Sequence, residues 1–102
     1  MAFQNSNVCR NKIKAGASDS AYSQLDSEEC SEVIILGPAG GVYIADGGGV
    51  RDPQAANSFL LPAGDYFTFR GLTNSDQLSA KQVSGTPTIY YRTQFYGTMT
   101  QR

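Results

Sequence analysis

Residues 88–98 read Thr88-Ile89-Tyr90-Tyr91-Arg92-Thr93-Gln94-Phe95-Tyr96-Gly97-Thr98, and their alternation decides the fold class. Successive side chains of an extended strand point to opposite faces, so residues of equal parity share one face. One parity carries Ile89, Tyr91, Thr93 and Phe95, the better core face. The other carries Tyr90, Arg92, Gln94 and Tyr96. That flank is not ordinary surface composition. Tyr and Arg bury area while keeping a polar handle, and both are enriched at interface hot spots. Tyr90, Arg92, Gln94 and Tyr96 are therefore the expected docking face, most simply toward other copies of the chain. The competing reading is an outward aromatic ladder that stabilises neighbouring strands.

The same short period recurs upstream, punctuated by turn residues. Residues 7–15 alternate, with Arg10, Lys12 and Lys14 on one parity. Residues 30–37 contain the run Val33-Ile34-Ile35-Leu36, which predicts a strand buried on both faces. Gly37-Pro38-Ala39-Gly40-Gly41 predicts a turn into the strand Val42-Tyr43-Ile44-Ala45, the two strands pairing as a hairpin. Phe59-Leu60-Leu61 follows, then residues 66–72, with Phe67 and Phe69 on one side and Tyr66, Thr68 and Arg70 on the other. Residues 77–83 complete the set. Helix is restricted to about one turn near residues 52–57. Seven or eight strands, spaced by Gly, Pro, Asn and Asp turns, predict an all-β fold. The expected form is an antiparallel β-sandwich or jelly-roll-like barrel.

A length of 102 residues fits one domain spanning 1–102. Residues 1–7 are polar and uncommitted, suited either to an extended arm across a neighbour or to a frayed terminus. The chain is 40% hydrophobic and 17% charged, which excludes a disordered tail. Its net charge is −1, and no cluster of Lys and Arg stands ready to displace counterions, so nucleic acid is not an expected partner. No run of 18 apolar residues marks a membrane span, and the polar start lacks the apolar stretch of a secretory signal. Cytoplasmic synthesis is expected.

Most catalytic mechanisms fail for want of parts. With no histidine in the chain, Ser-His-Asp and Cys-His arrangements are impossible. Lys12, Lys14 and Lys81 carry no supporting motif. The Gly37–Gly41 loop lacks the Lys-Ser/Thr of a phosphate-binding loop and leads into a strand, not a helix. Asp46 and Asp52 offer two carboxylates where calcium takes six to eight oxygens, so plain turns are the simpler reading. No enzyme activity, metal or cofactor is expected. Cys9 and Cys30, 21 positions apart, are read either as two buried thiols or as one bridge. Arg10, Lys12 and Lys14 form a basic strand face, and Asp26, Glu28, Glu29 and Glu32 form an acidic stretch. The simpler reading pairs these charges across neighbouring strands, and the sharper one makes the basic strand a docking surface.

Four stretches carry a family resemblance. They are Cys30-Ser31-Glu32-Val33-Ile34-Ile35, Phe59-Leu60-Leu61-Pro62-Ala63-Gly64, Phe69-Arg70-Gly71-Leu72-Thr73-Asn74 and Thr88-Ile89-Tyr90-Tyr91-Arg92-Thr93-Gln94-Phe95-Tyr96. Over residues 7–102 the chain resembles small virion proteins of tailed phages, cyanophages in particular, and in size it is similar to a capsid cement, or decoration, protein. The resemblance implies a β-sandwich or jelly roll on the capsid surface. Its partners would be the major capsid protein at capsomer junctions and further copies of itself, as a homodimer or homotrimer. The alternative it leaves open is a tail or fibre module that recognises glycan or protein.

Overall fold

The computed structural model describes residues 8–46 and 58–95. Eight strands run β1 (Val8–Lys14), β2 (Ser23–Gln24), β3 (Glu32–Leu36), β4 (Val42–Asp46), β5 (Ser58–Leu61), β6 (Tyr66–Arg70), β7 (Leu78–Gln82) and β8 (Ile89–Phe95). They form two antiparallel sheets, one in the order β1-β8-β3-β6 and the other β2-β7-β4-β5. The chain changes sheet at every connection except the one from β4 to β5. That is the strand order of an eight-stranded jelly roll, in agreement with the expected sandwich. The predicted helical turn near residues 52–57, Asp52, the arm at 1–7 and Tyr96 lie outside the described residues.

Period-two patterning builds the core. Val33 and Ile35 of β3, Phe69 of β6 and Ile89 and Tyr91 of β8 meet Val42 and Ile44 of β4, Leu61 of β5 and Leu78 and Ala80 of β7. Leu25, Cys30 and Leu72 fill the ends from loops. Two sequence expectations are corrected here. The first concerns β3, which is not buried on both faces. A two-layer sandwich gives each central strand one inner and one outer face, so Leu36 is 42% exposed while Val33 and Ile35 are sealed.

The second correction concerns the hairpin. β3 pairs with β6 and β8, and β4 pairs with β5 and β7, so β3 and β4 lie in different sheets. Residues 37–41 carry the chain across the gap between the sheets, and residues 62–65 carry it back. These crossings are tied together. The Gly37 N–H donates to the Asp65 carbonyl at 2.7 Å, and the Gly64 N–H donates to the Gly37 carbonyl at 3.1 Å. Only glycine fits position 37, since a Cβ there would lie 2.0 Å from the Pro62 carbonyl oxygen.

The two long mouths of the sandwich are closed by different chemistry. On the β5–β6 side, the rings of Phe59, Phe67 and Phe69 lean together with centroids 4.9–5.6 Å apart. On the β1–β2 side, closure is ionic. Arg10 Nε and Lys12 Nζ each lie 2.7 Å from a different oxygen of Glu28, and Lys14 Nζ lies 4.0 Å from Asp26 Oδ1. The loop bearing Asp26 and Glu28 is held by the capped 3₁₀ turn Ser75–Gln77. Asn74 Oδ1 accepts from the Glu28 and Asp76 N–H groups, and Ser75 Oγ donates to the Asp26 carbonyl.

Candidate docking face

β8 separates its two parities over residues 89–93, while Gln94 and Phe95 at its end are both half-buried. Ile89, Tyr91 and Thr93 are buried, while Tyr90 (58% exposed) and Arg92 point outward. Strand register then extends this outer face across the whole sheet. Ile13 stands beside Tyr90, Tyr90 beside Leu36, and Leu36 beside Tyr66. All four are large, apolar or aromatic and exposed, Tyr66 the most, at 72%. The next row is Asn11, Arg92, Ile34 and Thr68, and the third is Cys9, Gln94, Glu32 and Arg70. A shallow depression of about 530 Å³ opens where the first two rows meet, beside Tyr66, Tyr90, Leu36, Ile34 and Arg92.

The third row is a polar chain. Gln94 Nε2 donates to Glu32 Oε1 at 2.8 Å, and Arg70 Nε lies 3.5 Å from Glu32 Oε2. Gln94 is thus half-buried and tied to its neighbour, so Tyr90 and Arg92 stand as the free part of the expected docking set. Ile13, Leu36 and Tyr66 were not singled out from the sequence. Their signal was parity. Ile13 opposes the basic residues of its strand, and Tyr66 shares a side with Thr68 and Arg70.

Arg10, Lys12 and Lys14 point to the other side of β1, opposite Thr93, Tyr91 and Ile89. There they engage Glu28 and Asp26 within the chain. The charges do pair, but across the mouth of the sandwich and not between adjacent strands. Lys12 and Lys14 are largely covered in these pairs, while the Arg10 side chain stays 60% exposed.

The two cysteines are separate. Both are free, Cys9 exposed and Cys30 buried. A Cys9–Cys30 bridge is absent because Cys9 sits on the outer face opposite Gln94, whereas Cys30 belongs to the core on the inner side of the same sheet. Burial pushes the Cys30 thiol up to about 11, with the Glu28 and Asp76 charges adding to the shift. The thiolate is the reactive form. At pH 8, a thiol reagent should therefore modify one cysteine per native chain and two after denaturation, and Cys9→Ser should leave none reactive in the folded protein. Fast labelling of two thiols in the native state would show that Cys30 is not sealed.

Among the described residues, no group of three His, Cys, Asp or Glu side chains gathers as a metal site. No helix of the described residues is long and apolar enough to cross a membrane. No protein-family model matches the chain, and no curated protein does. A solved structure matches. It is a Bacillus endospore appendage protein, from a family described as disulfide-linked pili, with a TM-score of 0.58 and 12% identity over 93% of this chain and 92% of that one. At that identity, the two share a fold.

Proposed function

We propose that this chain is a non-catalytic structural subunit of an extracellular particle, and more finely a decoration protein that braces a phage head. The observation that carries the reading is the exposed row Ile13-Tyr90-Leu36-Tyr66, with Arg92 beside it. Contiguous exposed apolar surface on a small domain marks an interaction site, and Tyr with Arg supplies hot-spot chemistry. The appendage protein of like fold and the virion-protein resemblance support a structural role, and the resemblance supplies the capsid partner. Many copies, each held weakly at several points, gain strength from effective concentration and need no single tight site.

A second reading, a subunit of a disulfide-linked appendage, is favoured by one feature. Cys9 is an exposed free thiol on an edge strand. Electron microscopy of the oxidised protein, alone and mixed with purified undecorated phage heads, separates the two. Regular occupancy of head junctions, unaffected by Cys9→Ser, supports the decoration reading. Fibres formed without heads, and lost in Cys9→Ser, support the appendage. Neither structure would sink both.

A further inference from the structure

We infer that the chain forms a two-fold symmetric dimer by pairing β6 with β6 of a second copy, edge to edge, about Thr68.

An edge strand exposes a row of unpaired N–H and C=O groups, and proteins blunt such edges with Pro, Lys, bulges, brevity or cover. The four edges here are treated unequally. β2 has only two residues. β1 carries Arg10, Lys12 and Lys14, with the 26–28 loop clamped against it. β5 is four residues long. β6, Tyr66-Phe67-Thr68-Phe69-Arg70, has neither Pro nor Lys, pairs among the described residues with β3 alone, and begins with their most exposed large aromatic.

The phase of its backbone can be worked out. Residues 37 and 65 are joined by a backbone bond on the β3–β6 ladder. Bonded and non-bonded pairs alternate along an antiparallel ladder. Phe67 and Phe69 therefore face β3, and Tyr66, Thr68 and Arg70 turn their backbone groups to the open edge. These three can meet only residues of the same phase on a partner strand.

The sequence is self-complementary in the register that overlaps all five residues. Thr68 meets Thr68 of the second copy on the axis, and Thr–Thr is a favourable cross-strand pair. Phe67 meets Phe69, so the cluster of half-exposed Phe59 and Phe67 around buried Phe69 continues across the axis as one aromatic layer. Tyr66 meets Arg70 twice, each guanidinium reaching the face of a ring. No like charges are brought opposite each other. The three outward residues supply about six backbone bonds, two per bonded pair. The result is an eight-stranded sheet, β1-β8-β3-β6 joined to its two-fold copy, and a closed isologous contact, the commonest kind in homo-oligomers. This contact is distinct from the Tyr90–Arg92 face and leaves Tyr90 and Arg92 outward.

Native mass spectrometry and analytical ultracentrifugation test the dimer. The wild-type chain should be dimeric at tens of micromolar. Thr68→Pro removes an N–H that points only outward, leaving the β3 ladder intact, and Phe67→Lys places a charge at the edge. Each should weaken dimerisation by at least about 100-fold, with circular dichroism reporting whether the monomer remains folded. Tyr90→Ala should leave the dimer unchanged. For the register, a spin label on Thr68→Cys in a Cys9→Ser background should give one short distance, within about 20 Å, because the Cα atoms of a bonded pair lie about 5.5 Å apart. A wild-type monomer at 100 µM would overturn the inference, as would a dimer that survives both edge variants or one whose labels lie far apart.

Discussion

Gly37→Ala should unfold the protein or leave it barely stable at room temperature. The added methyl would sit 2.0 Å from the Pro62 carbonyl oxygen and 2.8 Å from its carbonyl carbon. Both are backbone atoms, so no side chain can swing aside. Relief requires moving residues 62–65 away, which breaks the bonds from Gly37 to Asp65 and from Gly64 to Gly37. Loss of two backbone bonds together with overpacking should cost about 4 kcal/mol or more, against a total stability of roughly 5–15 kcal/mol for a domain of this kind. Gly64→Ala is the contrasting variant. No atom lies within 4 Å of its Cβ, and only the positive φ of 83° opposes it, at a cost of about 1 kcal/mol. Urea unfolding of the two variants checks the difference. Equal, small losses would show that the two crossings are not locked together.

The second large effect is on assembly. Tyr90→Ala with Arg92→Ala should abolish docking to the particle while leaving the monomer folded. Hot-spot truncations cost about 2 kcal/mol or more each, so the pair should weaken binding by at least about 100-fold. Neither side chain enters the core, and Tyr90 loses only its contacts with Ile13 and Leu36 beside it. Its melting temperature should fall by a few degrees at most. Sedimentation with purified heads gives the binding arm, and thermal melting the stability arm. Normal binding would remove this face from the functional reading. Unfolding would mean that the outer row serves the sheet and not a partner.

Local alternation made much of this fold readable, and the failures have definite causes. The last strand could be assigned by parity because Ile89, Tyr91 and Thr93 are buried while Tyr90 and Arg92 are exposed, and burial enforces alternation. β2 was missed because two residues, Ser23 and Gln24, carry no apolar period. The β3–β4 hairpin was expected because a Gly-Pro turn between two apolar runs normally folds a strand back on its neighbour. Here the same residues cross a sandwich, a difference set by the distant segment 62–65 that no local pattern reveals. The basic residues of β1 were read either as pairing with the acidic stretch across neighbouring strands or as a docking surface, because parity groups them on one face without showing which segment they meet. That segment is the loop bearing Asp26 and Glu28, whose Glu28 N–H is held by the Asn74 cap, a contact 46 residues apart that no local pattern reveals. The docking face was legible only along β8. Its breadth across four strands needs register, and register is a property of pairing.

The placement of β8 has a consequence for how the chain comes into being. It lies between β1 and β3, and its register joins residue 95 to residue 8. While the ribosome is still making residues 89–95, β1 has no partner and the first sheet lacks its middle. The first sheet must therefore wait, unzipped, until this strand emerges and slots home as a keystone. Contacts so remote along the chain make for slow maturation. A transcript cut short before this strand would yield polypeptide fit for proteolysis, not a smaller working part.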